Sequence, residues 1–331
     1  MKFRNSILAA GVALVAASGA AQAQCSTTTA DACQKTKDIF NFLTPQISTA
    51  LVGGSTTLGQ GGVLGGFPHL ALALRATAVN GTVPTVGDVA FSTTGAKPSS
   101  YQGKDQLVPM ASIDGSLGLF KGFPMGVTRV GGLDLLMTAT YIPKPSSSTG
   151  EVQFDLPGGS TKLGYGVRVG LLQESIVVPG VSFSYVKRDL PTLSVSGTSS
   201  VSAGGSSAPG AFALNDFSIK TSSWRVSASK TFLIFGLEGG VGQDKYDNSA
   251  NARVTVNAAA PVGTQTTSID VGNTMTRTNI YGGLIINFFI GKLVGEVGRV
   301  SGGSLPTAMN TFGSDAAASR TYFSVGLRTG F

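Results

Sequence analysis

Apolar and polar residues alternate with a period of two through most of the chain after residue 66. The pattern is clearest at the C-terminus, in the sequence RTYFSVGLRTGF. Its apolar register holds Phe323, Val325, Leu327 and Phe331, and the other register holds mostly small or polar residues. Because successive side chains of a β-strand point to opposite faces, this segment predicts a strand with one apolar and one polar face.

Ten segments with this alternation follow one another from residue 67 onward. They cover residues 67–79, 107–120, 127–141, 160–171, 181–190, 212–229, 231–243, 276–289, 292–300 and the C-terminal segment. In the sixth segment the apolar register changes parity at Ser222 and Ser223, which indicates a β-bulge. The pattern predicts an all-β fold with about ten antiparallel strands.

The connections between these strands alternate in length. Residues 80–106, 142–159, 191–211, 244–275 and 301–319 form long polar connections, whereas residues 121–126, 172–180, 230 and 290–291 form short ones. Transmembrane β-barrels combine short periplasmic turns with long external loops. We therefore expect an up-and-down barrel over residues 67–331, and a periplasmic N-terminus would return the C-terminus to the same side.

The long connections leave room for additional strands. Residues 253–257 and 266–271 could form one further hairpin within the connection 244–275. Twelve or fourteen strands are therefore the alternative to ten.

Residues 24–66 differ from the barrel segment. Asp31 can cap a helix in which apolar residues recur at a spacing of four from Ile39 to Leu51. The glycine-rich residues 53–66 then form a linker. The helix could plug the barrel or lie against the periplasmic rim, or it could be a small tether that packs locally and gates nothing. We favour the tether.

Charged residues on the predicted strands fall in the polar register. An Arg or Lys that faces lipid at the middle of the membrane costs about 2–4 kcal/mol, so this register should face the lumen. The predicted lumen-facing charges are Arg75, Asp114, Asp134, Lys162, Arg168, Lys220, Arg225, Glu238, Arg277, Glu296 and Arg328. They could form an ionic network that fills a narrow lumen, or line a polar pathway with a mild anion preference. The small interior of a barrel of eight to ten strands favours the network.

The N-terminus carries an export signal. Lys2 and Arg4 precede the apolar residues 7–20, and Ala21–Ala23 matches an A-x-A cleavage site. We predict a signal peptide over residues 1–23. Its removal lowers the formal net charge from +7 to +5, because Lys2 and Arg4 are its only charged residues.

Composition favours a membrane barrel over a soluble domain. Glycine supplies 46 of the 331 residues and charged residues only 12%, whereas average usage is about 7% glycine and about 25% charged residues. No run of about 18 apolar residues follows the signal peptide, so a transmembrane helix is not expected. A closed barrel can cross a membrane because all its backbone groups are paired.

Cys25 and Cys33 are the only cysteines, and export to an oxidising compartment predicts a disulfide between them. Two cysteines and one histidine are too few for an ordinary metal site, and no cofactor is expected. The basic residues are not clustered with aromatic ones, so nucleic acid is not an expected partner.

Catalysis is also not expected. A serine hydrolase needs a histidine beside its nucleophile, and the only histidine, His69, lies at the start of the first predicted strand, near the periplasmic rim. Asp244 and Asp247 could supply paired acids at the outer end of the seventh strand. We interpret them as residues of a solvated loop.

The signal peptide, the alternating strands and the terminal Phe331 together resemble Gram-negative outer-membrane β-barrels, and this resemblance covers the whole chain. The register of Phe323, Val325, Leu327 and Phe331 is similar to the C-terminal signal that such proteins present to the barrel-assembly machinery. The resemblance implies residence in the cell outer membrane.

A narrower resemblance concerns GFPHLALALRATAVNGTVP, residues 66–84, which follow the helix and the glycine-rich linker. This segment resembles the start of the barrel in fatty-acid-transporter-like proteins and in a related uncharacterised group of outer-membrane barrels. The transporter family implies a lumen hatch and diffusion of hydrophobic substrates. Its Asn-Pro-Ala hatch motif has no match here, where residues 41–45 read NFLTP, so no substrate-binding residue is carried over.

We therefore expect passive transport of small or hydrophobic molecules across the outer membrane. The expected partners are outer-membrane lipid, the barrel-assembly machinery and a small hydrophobic substrate. The alternative is a closed structural or surface-interaction barrel, whose long loops contact partners and which has no transport activity.

Overall fold

The structure, a computed structural model, describes residues 25–84, 90–142, 152–203, 206–257, 263–306 and 308–330. The predicted signal peptide and Phe331 lie outside these residues.

The described residues form one helix and fifteen strands. Helix α1 spans Ala30–Val52. The strands are β1 (Leu70–Pro84), β2 (Ala90–Ser92), β3 (Gly103–Phe120), β4 (Phe123–Met125), β5 (Thr128–Val130), β6 (Gly132–Tyr141), β7 (Val152–Asp155), β8 (Thr161–Leu172), β9 (Gly180–Asp189), β10 (Leu193–Ala203), β11 (Ser206–Phe232), β12 (Phe235–Asn257), β13 (Thr264–Phe288), β14 (Gly291–Val300) and β15 (Arg320–Gly330).

Ten of these strands close into an antiparallel ring. The order is β1, β3, β6, β8, β9, β11, β12, β13, β14 and β15, and β15 pairs back onto β1 from Ala71 with Gly330 to Val79 with Tyr322. Closure leaves no unpaired strand edge at this seam. The predicted all-β barrel of about ten strands is confirmed.

The remaining strands lie outside the ring. β10 pairs with β11, β7 and β2, while β4 and β5 form a small hairpin between β3 and β6. We call the end of the barrel with residues 121–131, 173–179, 233–234 and 289–290 the short-turn end, and the opposite end the long-loop end. By the usual asymmetry of outer-membrane barrels, the short-turn end is the periplasmic one.

The hairpin considered within residues 244–275 forms, but it adds no strand to the ring. Arg253 pairs with Ser268 and Asn257 with Thr264, in the same register as the rest of β12 and β13. Since β14 pairs with β13 only from Asn279 to Phe288, the hairpin extends these two strands beyond the ring.

The outer face of the ring is apolar and exposed. Leu74, Leu163 and Leu284 are 59%, 74% and 64% exposed, and aromatic side chains lie on the same face toward the long-loop end. These aromatic residues are Tyr141, Tyr165, Tyr185 and Trp224. An apolar band with aromatic residues near its border is the surface of a barrel that spans a lipid bilayer. The chain is a transmembrane β-barrel.

The C-terminal strand contributes to this band. Phe323, Val325 and Leu327 are each about half exposed on the outer face of β15. Their position is compatible with a lipid-facing strand, and their role as an assembly signal stays a prediction.

Helix α1 lies inside the ring rather than against its rim. Its residues are buried on all sides, and it contacts β1, β3, β11, β12, β13 and β15. No helix in the described part of the chain is long and apolar enough to cross a membrane. The alternative position against the periplasmic rim is therefore wrong, and a gating role of the helix stays a prediction.

Helix α1 starts at the opposite end of the barrel from the expected periplasmic N-terminus. Its first turn lies at the long-loop end, where the Thr29 hydroxyl is 3.1 Å from that of Thr267 and Asp31 accepts a hydrogen bond from the Ser92 N–H. The helix then runs toward the middle of the lumen, and residues 53–66 continue to β1 at the short-turn end. We call residues 30–66 the plug.

Candidate functional site: the plugged lumen

The upper half of the plug makes both apolar and polar contacts with the wall. Phe40 meets the ring of Phe217 edge to face with centroids 5.8 Å apart, and Leu51 belongs to the same buried cluster. Asn273 donates to Asn41 Oδ1 and Thr44 Oγ1, both at 2.9 Å. Both kinds of contact fix the rotation of the helix about its axis.

Arginine side chains from the wall bind the C-terminal end of α1. Arg225 donates to the carbonyls of Val52 at 2.6 Å and Gly54 at 2.9 Å, and Arg188 donates to those of Leu51 and Val52. The last carbonyls of a helix lack partners within the helix and carry partial negative charge. Guanidinium groups supply both the missing hydrogen bonds and an opposite charge, and they fix the depth of the helix in the barrel.

The glycine-rich part of the plug is bound through its backbone. Ser55 N–H donates to Glu296 at 2.8 Å, and Gly59 N–H donates to Glu238 at 2.9 Å. Further along, Leu64 N–H donates to both oxygens of Asp134. The linker of the sequence prediction is therefore a buried strap with specific partners rather than a free spacer.

Two ion pairs stabilise the wall beneath these contacts. Arg75 Nε lies 2.7 Å from Asp114, and Arg168 lies 2.5 Å from Asp134, with all four side chains buried. Arg75 also donates to the Gly53 carbonyl at 2.5 Å. Each arginine therefore forms an ion pair with an acid on the wall, and Arg75 also binds the plug. These contacts compensate for the removal of the charges from water.

Nine of the eleven predicted lumen charges lie within the barrel on its inner face. They are Arg75, Asp114, Asp134, Arg168, Arg225, Glu238, Arg277, Glu296 and Arg328. The plug contacts many of them directly, which the sequence did not indicate. Their arrangement favours the ionic network over an open channel through the middle of the barrel.

The other two predicted lumen charges, Lys162 and Lys220, are not buried in the lumen. Lys162 shares the inner register of β8 with Gly164 but is exposed at the long-loop end of that strand. Lys220 is exposed on the outer face of β11, between buried Ile219 and Thr221. Its prediction was wrong because the bulge lies between Asn215 and Ser218, and not at residues 222–223.

Two buried lumen residues, Arg188 and Asp244, were not predicted from the sequence. Arg188 is 2% exposed and falls in the inner register of β9, so the alternation itself could have identified it. Asp244 is fully buried on the inner face of β12, which corrects its interpretation as a residue of a solvated loop. The sequence could have indicated this position, because the alternation of the strand continues past residue 243, where the strand was predicted to end. Asp247 is exposed, although it too lies within β12.

At the long-loop end the plug is bound by two surface connections. Asp31 accepts hydrogen bonds from the backbone of Ser92 and Lys97, and Asp38 accepts from the backbone of Met309 and Asn310. A disulfide joins Cys25 to Cys33 next to these contacts. The upper end of the plug is therefore covered by folded loops.

His69 is exposed just before β1, and its Nδ1 lies 2.8 Å from the Gly66 carbonyl. Within the residues that the structure describes, no cluster of three His, Cys, Asp or Glu side chains could hold a metal ion.

An apolar cavity of about 580 Å³ connects the lipid-facing wall to the plug. Ala76, Ala111 and Tyr141 line it from the outer face, and Ile47 of α1 lines it from within. The cavity lies where β6 ends at Tyr141, while β3 continues to Gly103. Among the described residues, no strand replaces β6 beside this part of β3.

No protein-family model matches the sequence, and no curated protein sequence is similar to it at a significant level. Solved structures with a related arrangement include a TodX deltaS2S3 mutant monoaromatic hydrocarbon channel, at 7% identity over 79% of this chain and 89% of that one, with a TM-score of 0.32. They also include the outer membrane protease OmpT from Escherichia coli, at 12% identity over 80% and 96%, with a TM-score of 0.35. The Pseudomonas putida toluene transporter TodX matches at 9% identity over 79% and 87%, with a TM-score of 0.28. At these scores the barrel assignment rests on the strand pairing and the apolar band described above.

Proposed function

We propose that the protein is a passive transporter of small hydrophobic molecules across the outer membrane, and that these molecules reach the plug through the barrel wall. The observation that carries this proposal is the apolar cavity between the lipid-facing wall and Ile47 of α1. A hydrophobic molecule dissolved among lipid chains can enter such a cavity without crossing a polar surface. The plug closes the direct route along the barrel axis.

The size and lining of the cavity set the class of substrate. Met110, Ile142, Leu190 and Leu193 contribute apolar surface near Ile47, and a volume of about 580 Å³ is in the range of small-molecule pockets. Small apolar molecules fit this lining. Ions and sugars do not, because they would lose their hydration without gaining polar partners.

Uptake of 1-N-phenylnaphthylamine by intact cells that express the protein tests the proposal, since its fluorescence rises on transfer from water into an apolar environment. Expression should accelerate uptake relative to cells without the protein. Ala111→Trp, which fills the cavity from the outer face, should remove this acceleration. The matched control Ala228→Trp places the same side chain on the outer face of β11, away from the cavity, and should retain it.

Equal uptake with and without the protein would contradict the transport proposal. If uptake is accelerated but Ala111→Trp has no effect, the route through the wall is wrong. All variants are compared only after they show the heat-modifiable gel mobility of a folded barrel.

The second candidate is a closed surface-interaction barrel. The observation that favours it is the extension of β12 and β13 beyond the ring, from about Arg253 to Ser268, together with the lumen filled by the plug. Removal of residues 258–263, which join these two extended strands, should then spare folding and change adhesion of whole cells to surfaces or to other cells. Unchanged adhesion would count against this candidate.

A further inference from the structure

Two basic side chains lie side by side on the inner face of the barrel at its short-turn end. Lys292 of β14 is paired directly with Arg328 of β15, and strand alternation places both on the inner face. Arg328 is 7% exposed and Lys292 is half-buried. Like charges directly opposite each other on neighbouring strands are destabilising. The pair therefore calls for a compensating anion.

The described part of the chain does not supply this anion. None of the ion pairs among the described residues involves Lys292 or Arg328. Within the same residues, Arg328 donates to neutral groups of the plug, which are the carbonyls of Thr57 and Leu58 and the side chain of Gln60. A guanidinium has five N–H donors, so two of them and the ammonium of Lys292 are left for a ligand.

The basic pair lines a cavity of about 1070 Å³. One acid, Glu174, also lines it, but its oxygens accept from the Thr231 N–H at 2.6 Å and from the Ser229 hydroxyl at 3.4 Å. With two basic residues and one acidic residue, the described lining has an excess of positive charge. This excess favours a ligand that carries a negative group.

The same cavity reaches the lipid-facing surface. Leu72 and Leu74 of β1 and Leu327 of β15 line it from the outer face, where they are 45%, 59% and 49% exposed. Phe289, in the turn between β13 and β14, lies beside it and is fully exposed. Because the basic pair is on the inner face, the cavity extends around the lower edge of the wall. A ligand that fills it needs a charged end and a hydrocarbon end.

An apolar groove continues from this cavity along the outer face. It is a second cavity, of about 460 Å³, that shares three lining residues with the first. These are Leu74, Ile113 and Leu327. Ala76 and Ala111 are paired with each other at its upper part and leave room between the larger side chains. From Leu72 to Ala76 the strand rises roughly 13 Å, which fits within the hydrocarbon depth of one leaflet, about 15 Å.

We propose that this site binds one phospholipid of the periplasmic leaflet, with its phosphate between Lys292 and Arg328 and one acyl chain in the groove beside Ala76 and Ala111. A phosphate accepts several charge-assisted hydrogen bonds at once, from a guanidinium and from an ammonium. The chain reaches the groove directly from the bilayer, at the end of the barrel that faces the periplasm. Binding of this lipid does not depend on transport of a substrate.

Native mass spectrometry of the refolded, full-length mature protein tests the site without any variant. Titration with dipalmitoylphosphatidylglycerol should fill one tight site before weaker ones. Dipalmitoylphosphatidylcholine has the same chains but no net charge, and it should lack the tight step. Equal binding of the two lipids, or no tight step with either, would overturn the proposal. Equally tight binding of dodecanoate, or displacement of the lipid by inorganic phosphate at the same concentration, would also overturn it, because the site would then not require a phospholipid.

The basic pair is tested by one variant and a matched control. Lys292→Gln should weaken the tight binding of phosphatidylglycerol about tenfold, because it removes one charge-assisted hydrogen bond. Lys121→Gln removes an exposed lysine at the same end of the barrel that does not line the cavity, and it should leave the affinity unchanged. Equal weakening in both variants would show a general attraction for anionic lipid and would overturn the site.

The groove is tested in the same way. Ile113→Trp places a large side chain in the groove and should weaken the tight binding. Val241→Trp makes a similar change at a similarly exposed position on the outer face of β12, 46% against 51% for Ile113, and should not weaken it. Wild-type affinity in folded Ile113→Trp, as judged by heat-modifiable gel mobility, would contradict the position of the acyl chain.

Discussion

At the scale of single residues, the lumen is organised by arginines that have two kinds of partner. Arg75 binds the Asp114 carboxylate on the neighbouring strand and the Gly53 carbonyl of the plug. Arg225 likewise binds the plug and faces Asp244. A planar guanidinium with five N–H donors can satisfy two acceptors in different directions, whereas a lysine would supply one compact charge.

Breaking one of these pairs should cost far more than removing a surface charge. Asp114→Asn leaves Arg75 buried without its carboxylate, and loss of one partner of a buried pair costs about 3–5 kcal/mol. Lys220→Ala removes an exposed charge on the outer face and should change the free energy of unfolding by less than about 0.5 kcal/mol. The midpoint of urea unfolding in detergent, followed by gel mobility, measures both. Equal midpoints would show that the buried pair contributes little to stability.

At the scale of elements, the strands were predictable because each one separates lipid from a polar interior. Because of that separation, apolar residues recur at every second position, as at Leu70, Leu72 and Leu74 of β1. This period was enough to predict all ten ring strands. Strand ends were less predictable beyond the membrane, where the outer face of β12 and β13 carries exposed polar residues instead of an apolar band. This is why Asp244 was assigned to a loop.

The position of α1 could not be predicted from its sequence. A helix that packs on one apolar surface has a clear apolar stripe, but this helix is surrounded by a wall that carries both apolar and polar side chains. Thr44, Ser48 and Thr49 are as buried as Leu51, so its pattern resembles that of a weakly amphipathic surface helix. The arginine contacts to its last carbonyls involve backbone atoms, which leave no signature in the side chains of the helix.

Removal of the plug helix should open the barrel. Deletion of residues 31–51 removes the element that fills the upper lumen, and Arg188 and Arg225 can then be hydrated instead of binding carbonyl groups. We expect a large increase in the permeability of proteoliposomes to small hydrophilic solutes, measured by liposome swelling. The matched control removes residues 258–263, which join β12 and β13 beyond the ring, and should leave permeability unchanged. A folded deletion variant with wild-type permeability would contradict the gating role of the plug.

At the scale of the whole molecule, the barrel presents three surfaces to three environments. The apolar outer band faces lipid, the long connections and the extended β12–β13 hairpin face water, and the inner face of the ring faces the plug. Residues of the lipid-facing surface and Ile47 of the plug line the same apolar cavity. A hydrophobic molecule can therefore pass from the lipid surface to the plug without meeting either aqueous environment.

The position of the outer band in the membrane can be measured with the natural protein. Trp224 is the only tryptophan of the chain, and it lies on the outer face of β11, 37% exposed, in stacked contact with Phe183. If this face meets lipid, brominated phospholipids should quench most of its fluorescence in reconstituted vesicles, while aqueous iodide should quench little. The matched variant Ser223→Trp in a Trp224→Phe background moves the indole to the inner register, where brominated chains cannot reach it. Strong iodide quenching of wild-type Trp224, without quenching by brominated lipid, would contradict the assignment of this face to the bilayer and with it the proposed route through the wall.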